Sequence, residues 1–215
     1  MIKTTHLFLI FVPALALLIF AFFIRVAQYE PLYPKLPRQT APSTQIFIPI
    51  FPDDPILGEK NAATTLIAFA DIGCATCRTQ LELLGQVIEK YPQKLKVMVK
   101  GLPVTRFPHP SEIAHAYAYC ANEQGKFAAF ERQALEHEGA YTAQTMTQVA
   151  LSALLDTDTL AACLASERSS AYHEKVKILA QELGVSAVPE FFLNNQRLSA
   201  PSSVEGWVEL LGLRT

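Results

Sequence analysis

Residues 64–77 have the sequence TTLIAFADIGCATC, in which a short apolar run leads directly into a Cys-x-x-Cys motif. The β-branched and apolar residues of this run, 64–70, predict a buried strand. Apolar residues then recur at helical spacing until Pro92, which marks the end of a predicted helix. The motif therefore lies between a strand and the first turn of a helix, and this position determines which chemistry its sulfurs can perform.

The two cysteines of the motif, Cys74 and Cys77, are predicted to form a redox pair. The start of a helix presents unpaired backbone N–H groups and a positive dipole end, which stabilise a thiolate and lower its pKa. Cys74 is thus the candidate nucleophile, and Cys77, one turn later on the same face, is the candidate resolving residue. A structural disulfide and half of a zinc site are the alternatives. Zinc needs two further ligands, and the sequence has no second Cys-x-x-Cys and no His-x-x-x-His motif, so we predict no metal site.

The pattern after Pro92 first continues as a strand and then becomes helical. Leu95, Val97 and Val99 alternate with Lys96, Met98 and Lys100, which is the period of a half-buried strand. Five helical patterns follow, at 111–123, 126–137, 143–154, 157–165 and 168–183. We expect these to form a helical insertion over about residues 108–183.

Strand patterns return after Gly184. Residues 191–193 and 196–198 predict a hairpin, because the Asn194-Asn195 pair between them tolerates positive φ. A last helix carries Trp207, and residues 45–48, closed by Pro49, are consistent with a short edge strand. The order strand-helix-strand, helices, strand-strand-helix predicts an α/β domain with a mixed sheet, interrupted by the helical insertion.

The chain begins with a segment long enough to span a bilayer. Residues 7–24 are eighteen consecutive apolar residues, which as a helix would extend about 27 Å. We predict a transmembrane anchor over residues 1–27, with a cleaved secretory signal and a buried soluble helix as the alternatives. A Pro-rich stalk is predicted over 28–52, followed by the folded domain at 53–215.

The composition restricts the classes of partner. Half of the 215 residues are apolar, 18% are charged, and the formal net charge is −2. This excludes a disordered chain, and without a run of four basic residues nucleic acid is not expected as a partner.

Two further cysteines, Cys120 and Cys163, lie in the predicted helical insertion. Cysteine is often buried as a free thiol, which is one interpretation. A membrane segment that indicates export favours an oxidising compartment instead, where the two thiols would form a structural disulfide. We predict the disulfide.

Several of these features together resemble the DsbA-like branch of the thioredoxin superfamily over residues 53–212. The resemblance is carried by five segments in order: DDPILG at 53–58, FAD at 69–71, the motif at 74–77, HP at 109–110 through AYCANEQGKF at 118–127, and GVSAVPEFFLN at 184–194. It implies a thioredoxin fold interrupted by a helical domain. It also implies thiol:disulfide exchange on cysteine-containing exported proteins, without an organic cofactor.

The resemblance also implies roles for residues outside the motif. Pro189 would be a cis-proline facing the Cys-x-x-Cys pair, and the backbone of Val188 would pair with a bound substrate chain. Some members of the branch carry a second disulfide in the helical domain, similar to the Cys120 and Cys163 pair. A membrane protein of the DsbB or VKOR type would reoxidise the active pair. The predicted location is the inner or cytoplasmic membrane, single-pass, with the catalytic domain in the periplasm or outside the cell.

The sequence departs from the branch at positions that tune the pair. Many oxidising members have Pro-His or Pro-Tyr between the cysteines, whereas Ala75 and Thr76 offer no charge, which would make a weaker oxidant. Glu190 would raise the thiol pKa if it lay near Cys74, and would be an ordinary solvated strand residue if it turned outward. Asp71 either hydrogen-bonds the motif's turn or simply caps a loop. An oxidase, a reductase for specific exported substrates and a non-catalytic peptide-binding module remain the three hypotheses.

Overall fold

The computed structural model describes residues 4–27, 47–137 and 139–214, which belong to two units, 1–44 and 45–215. In the first unit, helix α1 spans Thr4–Ala27 and contains Pro13. Within the described ranges, no helix has both the length and the apolar character needed to cross a membrane. The anchor stays a prediction, and residues 28–46 of the predicted stalk lie outside the described residues.

The second unit contains the remaining elements in the predicted order, preceded by one additional strand. They are β1 Ile56–Gly58, β2 Thr64–Ala70, α2 Ala75–Lys90, β3 Leu95–Gly101, α3 Glu112–Glu123, α4 Phe127–Glu136, α5 Ala143–Ser152, α6 Thr157–Leu164, α7 Arg168–Glu182, β4 Glu190–Leu193, β5 Gln196–Leu198 and α8 Val204–Leu210. Five helices therefore lie between β3 and β4.

The five strands form one mixed sheet with the order β1-β3-β2-β4-β5. The central strands β2 and β3 are parallel, and the other three pairings are antiparallel. This confirms the predicted mixed sheet. The edge strand expected at 45–48 is wrong for residues 47 and 48, which are not in a strand, and residues 45 and 46 lie outside the described part. The edge strand beside β3 is β1 instead, a three-residue element too short to show a period-2 pattern.

The two faces of β4 contact different layers of the domain. Successive strand residues point to opposite faces. Phe191 packs edge-on against Trp207 of α8, with ring centroids 5.0 Å apart, and Trp207 Nε1 donates to Gln80 of α2. Phe192 packs against Phe69 of β2 with centroids 5.8 Å apart. Helices α2 and α8 therefore lie on the Phe191 face of the sheet, and residues in register with Phe192 point away from them.

Strand β3 is more deeply buried than its alternation predicts. Met98 and Lys100 were expected on a polar face, but Met98 is 3% exposed and Lys100 is fully buried. The prediction of a half-buried strand is wrong here because both α2 and α7 pack against β3, and because Lys100 finds a buried acidic partner, Asp54.

Candidate active site

The Cys-x-x-Cys pair lies at the N-terminus of α2, directly after the loop that leaves β2. Cys74 is the N-cap residue, and its sulfur accepts a hydrogen bond from the Cys77 N–H at 3.1 Å. The two residues form a disulfide, with Cα atoms 5.2 Å apart. Cys77 is fully buried, whereas Cys74 is half-buried. An incoming thiolate can therefore reach Cys74 but not Cys77.

The residues between the cysteines add one hydrogen-bond donor. Ala75 and Thr76 are exposed, and Thr76 Oγ1 lies 3.2 Å from Cys74 Sγ. Because a disulfide sulfur carries no hydrogen, the Thr76 hydroxyl is the donor. In the reduced protein, this hydroxyl and the Cys77 N–H are placed to stabilise a thiolate on Cys74.

The loop before β4 brings Val188 and Pro189 to the pair. The Val188–Pro189 peptide bond is cis, and the Val188 carbonyl oxygen lies 3.7 Å from Cys74 Sγ. The structure therefore places the Val188 carbonyl beside the sulfur that can be reached from solvent, with Pro189 next in the chain. Pairing of the Val188 backbone with a substrate chain stays a prediction.

Asp71 is fully buried and holds two loops around the motif. Its Oδ1 accepts from the Gly73 N–H at 2.9 Å, and its Oδ2 accepts from the N–H groups of Val104 and Thr105 at 2.8 and 2.6 Å. His115 Nε2 lies 3.0 Å from Oδ1. Burial acts to raise the pKa of Asp71, but the hydrogen bonds and the charge of His115 outweigh it and hold the pKa well below its ordinary value.

Two histidines that are distant in sequence meet behind this loop. The rings of His115 on α3 and His173 on α7 have centroids 5.5 Å apart, and the Ile72 N–H lies 3.2 Å from His115 Nε2. Burial, together with the neighbouring His115, lowers the pKa of His173 to about 3, so its ring is neutral at physiological pH. In the described part of the chain, no three His, Cys, Asp or Glu side chains are arranged to hold a metal ion.

A second buried polar network lies at β3. Lys100 Nζ donates to Asp54 Oδ2 at 2.6 Å, and the Tyr172 hydroxyl donates to Asp54 Oδ1 at 2.9 Å. Burial, and then the charge of Asp54, raise the pKa of Tyr172, which keeps its hydroxyl protonated as a donor. Burial lowers the pKa of Lys100 although Asp54 opposes the shift. Lys100 is also 4.0 Å from the ring centroid of Phe51.

Glu190 is held in an ion pair. It is in register with Phe69, so its side chain points to the face of the sheet away from α2. Its Oε1 accepts from Arg197 Nε on β5 at 3.0 Å, and its side chain is 16% exposed. Neither expectation for Glu190 describes this arrangement, because the carboxylate is neither free in solvent nor turned to the face of Cys74.

The other two cysteines form a disulfide inside the helical block. Cys120 on α3 and Cys163 on α6 are joined, with Cα atoms 5.8 Å apart, and their exposed fractions are 0% and 1%. This bond lies among buried side chains rather than at a helix terminus that faces solvent.

The sequence patterns did not predict several polar residues that the fold brings into contact. Asp54, Lys100, His115, His173 and Arg197 had no predicted role. One of them was accessible from the hairpin: a two-residue turn at Asn194-Asn195 fixes the register and places Arg197 diagonally from Glu190. The others meet across large separations in sequence, for which no local signal exists.

Comparison with known proteins places this geometry in a family. The family model described as thioredoxin matches residues 51–212. A thioredoxin-like oxidoreductase from Silicibacter pomeroyi superposes with a TM-score of 0.66 at 21% identity, covering 76% of this chain and 92% of that one. The thiol-disulfide exchange protein alpha-DsbA2 from Wolbachia pipientis gives a TM-score of 0.68 at 18% identity, covering 80% and 90%. Oxidised BdbD from Bacillus subtilis gives 0.64 at 17% identity, covering 75% and 92%.

Curated relatives match only over part of their length. The Na(+)/H(+) antiporter NhaA 3 of Salinispora tropica is 26% identical over 161 residues, which is 74% of this chain and 24% of that protein. NhaA 1 of Salinispora arenicola is 24% identical over the same fractions. This chain thus spans about a quarter of the length of these relatives.

The family match covers the sheet, α2 with its motif, the helical block and α8. The similar folds include those of thiol-disulfide exchange proteins, and the Cys74–Cys77 disulfide lies at the N-terminus of α2. The chain belongs to the thioredoxin family, and its fold is DsbA-like.

Proposed function

We propose that this chain is a membrane-tethered, extracytoplasmic thiol:disulfide oxidoreductase that introduces disulfides into cysteine-containing exported proteins. The proposal rests mainly on the unequal access to the two sulfurs. Cys74 is half-buried at a helix N-terminus, 3.7 Å from the Val188 carbonyl, whereas Cys77 is fully buried beneath it. Such a pair can accept a thiolate on one sulfur and release the other as the leaving group.

The reaction in this direction proceeds by two exchanges. A substrate thiolate attacks Cys74 Sγ, the Cys74–Cys77 bond breaks, and Cys77 leaves as a thiolate. A second substrate thiolate then attacks the substrate sulfur of the mixed disulfide, and Cys74 leaves as a thiolate. The substrate dithiol loses two electrons and two protons, and the protein pair gains the electrons. A membrane partner of the DsbB or VKOR type would return the pair to the disulfide.

Two contacts support the oxidising direction over its reverse. The Cys77 N–H and the Thr76 hydroxyl reach Cys74 Sγ at 3.1 and 3.2 Å, and donors to a thiolate stabilise the reduced pair. Stabilising the reduced form makes a disulfide a stronger oxidant. The negative charge of Glu190, which would oppose this effect near Cys74, is instead paired with Arg197.

A reductase acting on specific exported proteins is the second candidate. Ala75 and Thr76 carry no charge, so a thiolate on Cys74 is stabilised by hydrogen bonds and the helix terminus alone. A less stabilised thiolate makes the disulfide a weaker oxidant, which favours a reductase. The measured direction of electron flow between the pair and a peptide substrate distinguishes the two candidates.

The tether is proposed from the eighteen apolar residues 7–24. Expressed from residue 1, the chain should stay with membranes after alkaline carbonate extraction, whereas a chain lacking residues 1–27 should be released. Release of the full chain would contradict the tether without affecting the redox proposal.

Trapping of covalent complexes tests the exchange chemistry. Cys77→Ala leaves Cys74 without a resolving thiol, so mixed disulfides with exported proteins should accumulate and disappear on reduction. Cys74→Ala should trap none, because Cys77 is buried. Equal trapping by both variants would overturn the assignment of Cys74 as the attacked sulfur, and trapping by neither would favour a non-catalytic peptide-binding module.

A further inference from the structure

The loop at 184–189 carries the backbone that faces the active pair. It connects the end of α7 to the start of β4, and the Val188 carbonyl oxygen near its end lies 3.7 Å from Cys74 Sγ. At its first end, Gly184 has a φ of 64° and the Val185 N–H bonds to the carbonyl of Ala180, which terminates the helix. The placement of the residues beyond Val185 then depends on what holds the two ends of the loop together.

One guanidinium contacts both ends of this loop. Arg197 Nη2 donates to the carbonyl oxygens of Leu183 and Gly184 at 2.9 and 3.3 Å. Arg197 Nε donates to Glu190 Oε1 at 3.0 Å, and Glu190 directly follows Pro189. The first contacts are with the C-terminal carbonyls of α7, where a cation is favourable. The same planar group therefore joins Leu183 and Gly184, where the loop begins, to Glu190, which follows it.

The position of Arg197 is itself fixed by the hairpin. It pairs with Phe192 across β4 and β5, and its guanidinium carbon lies 5.5 Å from the Phe192 ring centroid. Phe192 is 1% exposed and packs against Phe69 of the central strand β2. The Arg197 side chain lies on the edge strand β5 and is 46% exposed, but its contact with the Phe192 ring and its three hydrogen bonds orient its fork of donors before any substrate arrives.

We propose that Arg197 is a positioning residue that clamps both ends of loop 184–189 and fixes the Val188 backbone for docking of an extended, cysteine-containing substrate chain. This inference rests on the proposed function, because it assigns Arg197 to substrate docking at the Cys74–Cys77 pair. Glu190, at the start of β4, is then the residue that Arg197 binds on the strand side of the loop. An acid at this position keeps the loop in place while its charge is neutralised.

Kinetics with a dithiol peptide and glutathione disulfide as oxidant test the clamp. Arg197→Ala should raise the KM for the peptide about tenfold and change kcat by no more than about twofold. The variant loses binding that is equal in the ground state and the transition state, while the chemistry at the sulfurs is intact. Arg197→Lys should recover only part of the loss, since an ammonium lacks the planar fork. Alkylation of reduced Cys74 by iodoacetamide, which needs no docked chain, should stay within about twofold of wild type.

The matched control removes a cation from the preceding helix. Lys177→Ala breaks an exposed pair with Glu174 on α7 and does not touch the loop, so its KM should equal that of wild type. Hydrogen exchange of the full chain provides a readout that needs no activity. The Val185 amide, which donates to the Ala180 carbonyl, should lose protection in Arg197→Ala and keep it in Lys177→Ala, and Glu190→Gln should have an intermediate effect.

The outcomes separate the clamp from the proposed function. Unchanged KM and unchanged loop protection in Arg197→Ala would overturn the clamp and leave the function standing. A fall in Cys74 alkylation equal to the loss of peptide turnover would also overturn it, because the damage would then be at the sulfur. If wild type fails to oxidise the peptide but Arg197→Ala loses loop protection, the proposed function fails and the structural clamp stands without its docking role. If Arg197→Ala does not fold, Arg197→Lys carries the same comparison.

Discussion

The two disulfides of this chain are the same covalent bond in opposite surroundings. Cys74–Cys77 joins residues three apart at a helix N-terminus, with one sulfur half-buried and two donors directed at it. Cys120–Cys163 joins residues 43 apart on two helices, and both are buried. The difference teaches that access and thiolate stabilisation, rather than the bond itself, separate an exchanging disulfide from a structural one.

Removing each disulfide should have opposite consequences for activity. Cys74→Ala should reduce peptide oxidation to the uncatalysed background, because no accessible sulfur remains. The double variant Cys120→Ala, Cys163→Ala should retain turnover below its melting temperature, because neither residue contacts the pair. The measurement is peptide oxidation by purified full-length protein at about 20 °C, which is close to the temperature at which protein stability is usually greatest. Turnover in Cys74→Ala, or its loss in the folded double variant, would break the comparison.

Removal of the Cys120–Cys163 disulfide should lower the melting temperature more than removal of the Cys74–Cys77 disulfide. The Cys120–Cys163 bond closes a loop with a sequence separation of 43, and the chain-entropy model gives it about 4 kcal/mol. The double variant should therefore melt about 10 °C lower than wild type. Cys74→Ala combined with Cys77→Ala should lower the melting temperature far less, since that loop spans only three residues. Calorimetry of both double variants measures the two melting temperatures. Equal decreases would show that the length of the closed loop does not determine how much each disulfide stabilises the protein.

The loop that carries the Cys-x-x-Cys motif should lose stability when the charge of Asp71 is removed. Asp71→Asn replaces an acceptor of three backbone N–H groups and should lower the free energy of unfolding by about 2 kcal/mol at pH 7. Because the pKa of Asp71 is lowered by folding, its stabilisation is present above its ordinary value of 3.8 and is lost as the pH falls below it. The difference between variant and wild type should therefore narrow in acid. Asp53→Asn, an exposed acid, is the control, and a pH-independent difference would contradict this role of the charge.

A buried acid in the helical block should have the opposite pH dependence. Burial raises the pKa of Glu131 on α4 from 4.5 to about 8. Its ionisation therefore costs stability as the pH rises from 4.5 towards 8, since folding favours the neutral acid. Glu131→Gln should raise the melting temperature by about 5 °C at pH 8 and by little at pH 4.5. Glu136→Gln, exposed on the same helix, should change neither, and a gain in Glu131→Gln that is equal at both pH values would contradict burial as the cause.

Much of this architecture follows from local patterns. The strand-helix junction at Cys74, the five helices of the insertion and the hairpin at Asn194-Asn195 all have short-range signals, and the structure confirms these elements. Both asparagines have positive φ, of 50° and 62°, as the two-residue turn requires. The three-residue strand β1 had no such signal, because its pairing with β3 alone defines it.

The polar network around the site was not accessible from the sequence in the same way. Lys100 alternates with apolar residues like a solvent-facing side chain, and only the fold brings Asp54 to it from 46 residues away. His115 and His173 are isolated in sequence, yet their rings are in contact across two helices. Glu190 is the exception, because its partner Arg197 lies across the predicted hairpin and the register of the two-residue turn could have identified the ion pair.

The redox potentials of the two disulfides, measured in the same full-length protein against glutathione and dithiothreitol buffers, test the account most directly. We predict a potential between about −120 and −270 mV for Cys74–Cys77, the range of exchanging pairs, and below about −300 mV for Cys120–Cys163. A value towards −120 mV would favour the oxidase and one towards about −270 mV the reductase. A Cys74–Cys77 potential below about −300 mV would contradict exchange and make both bonds structural.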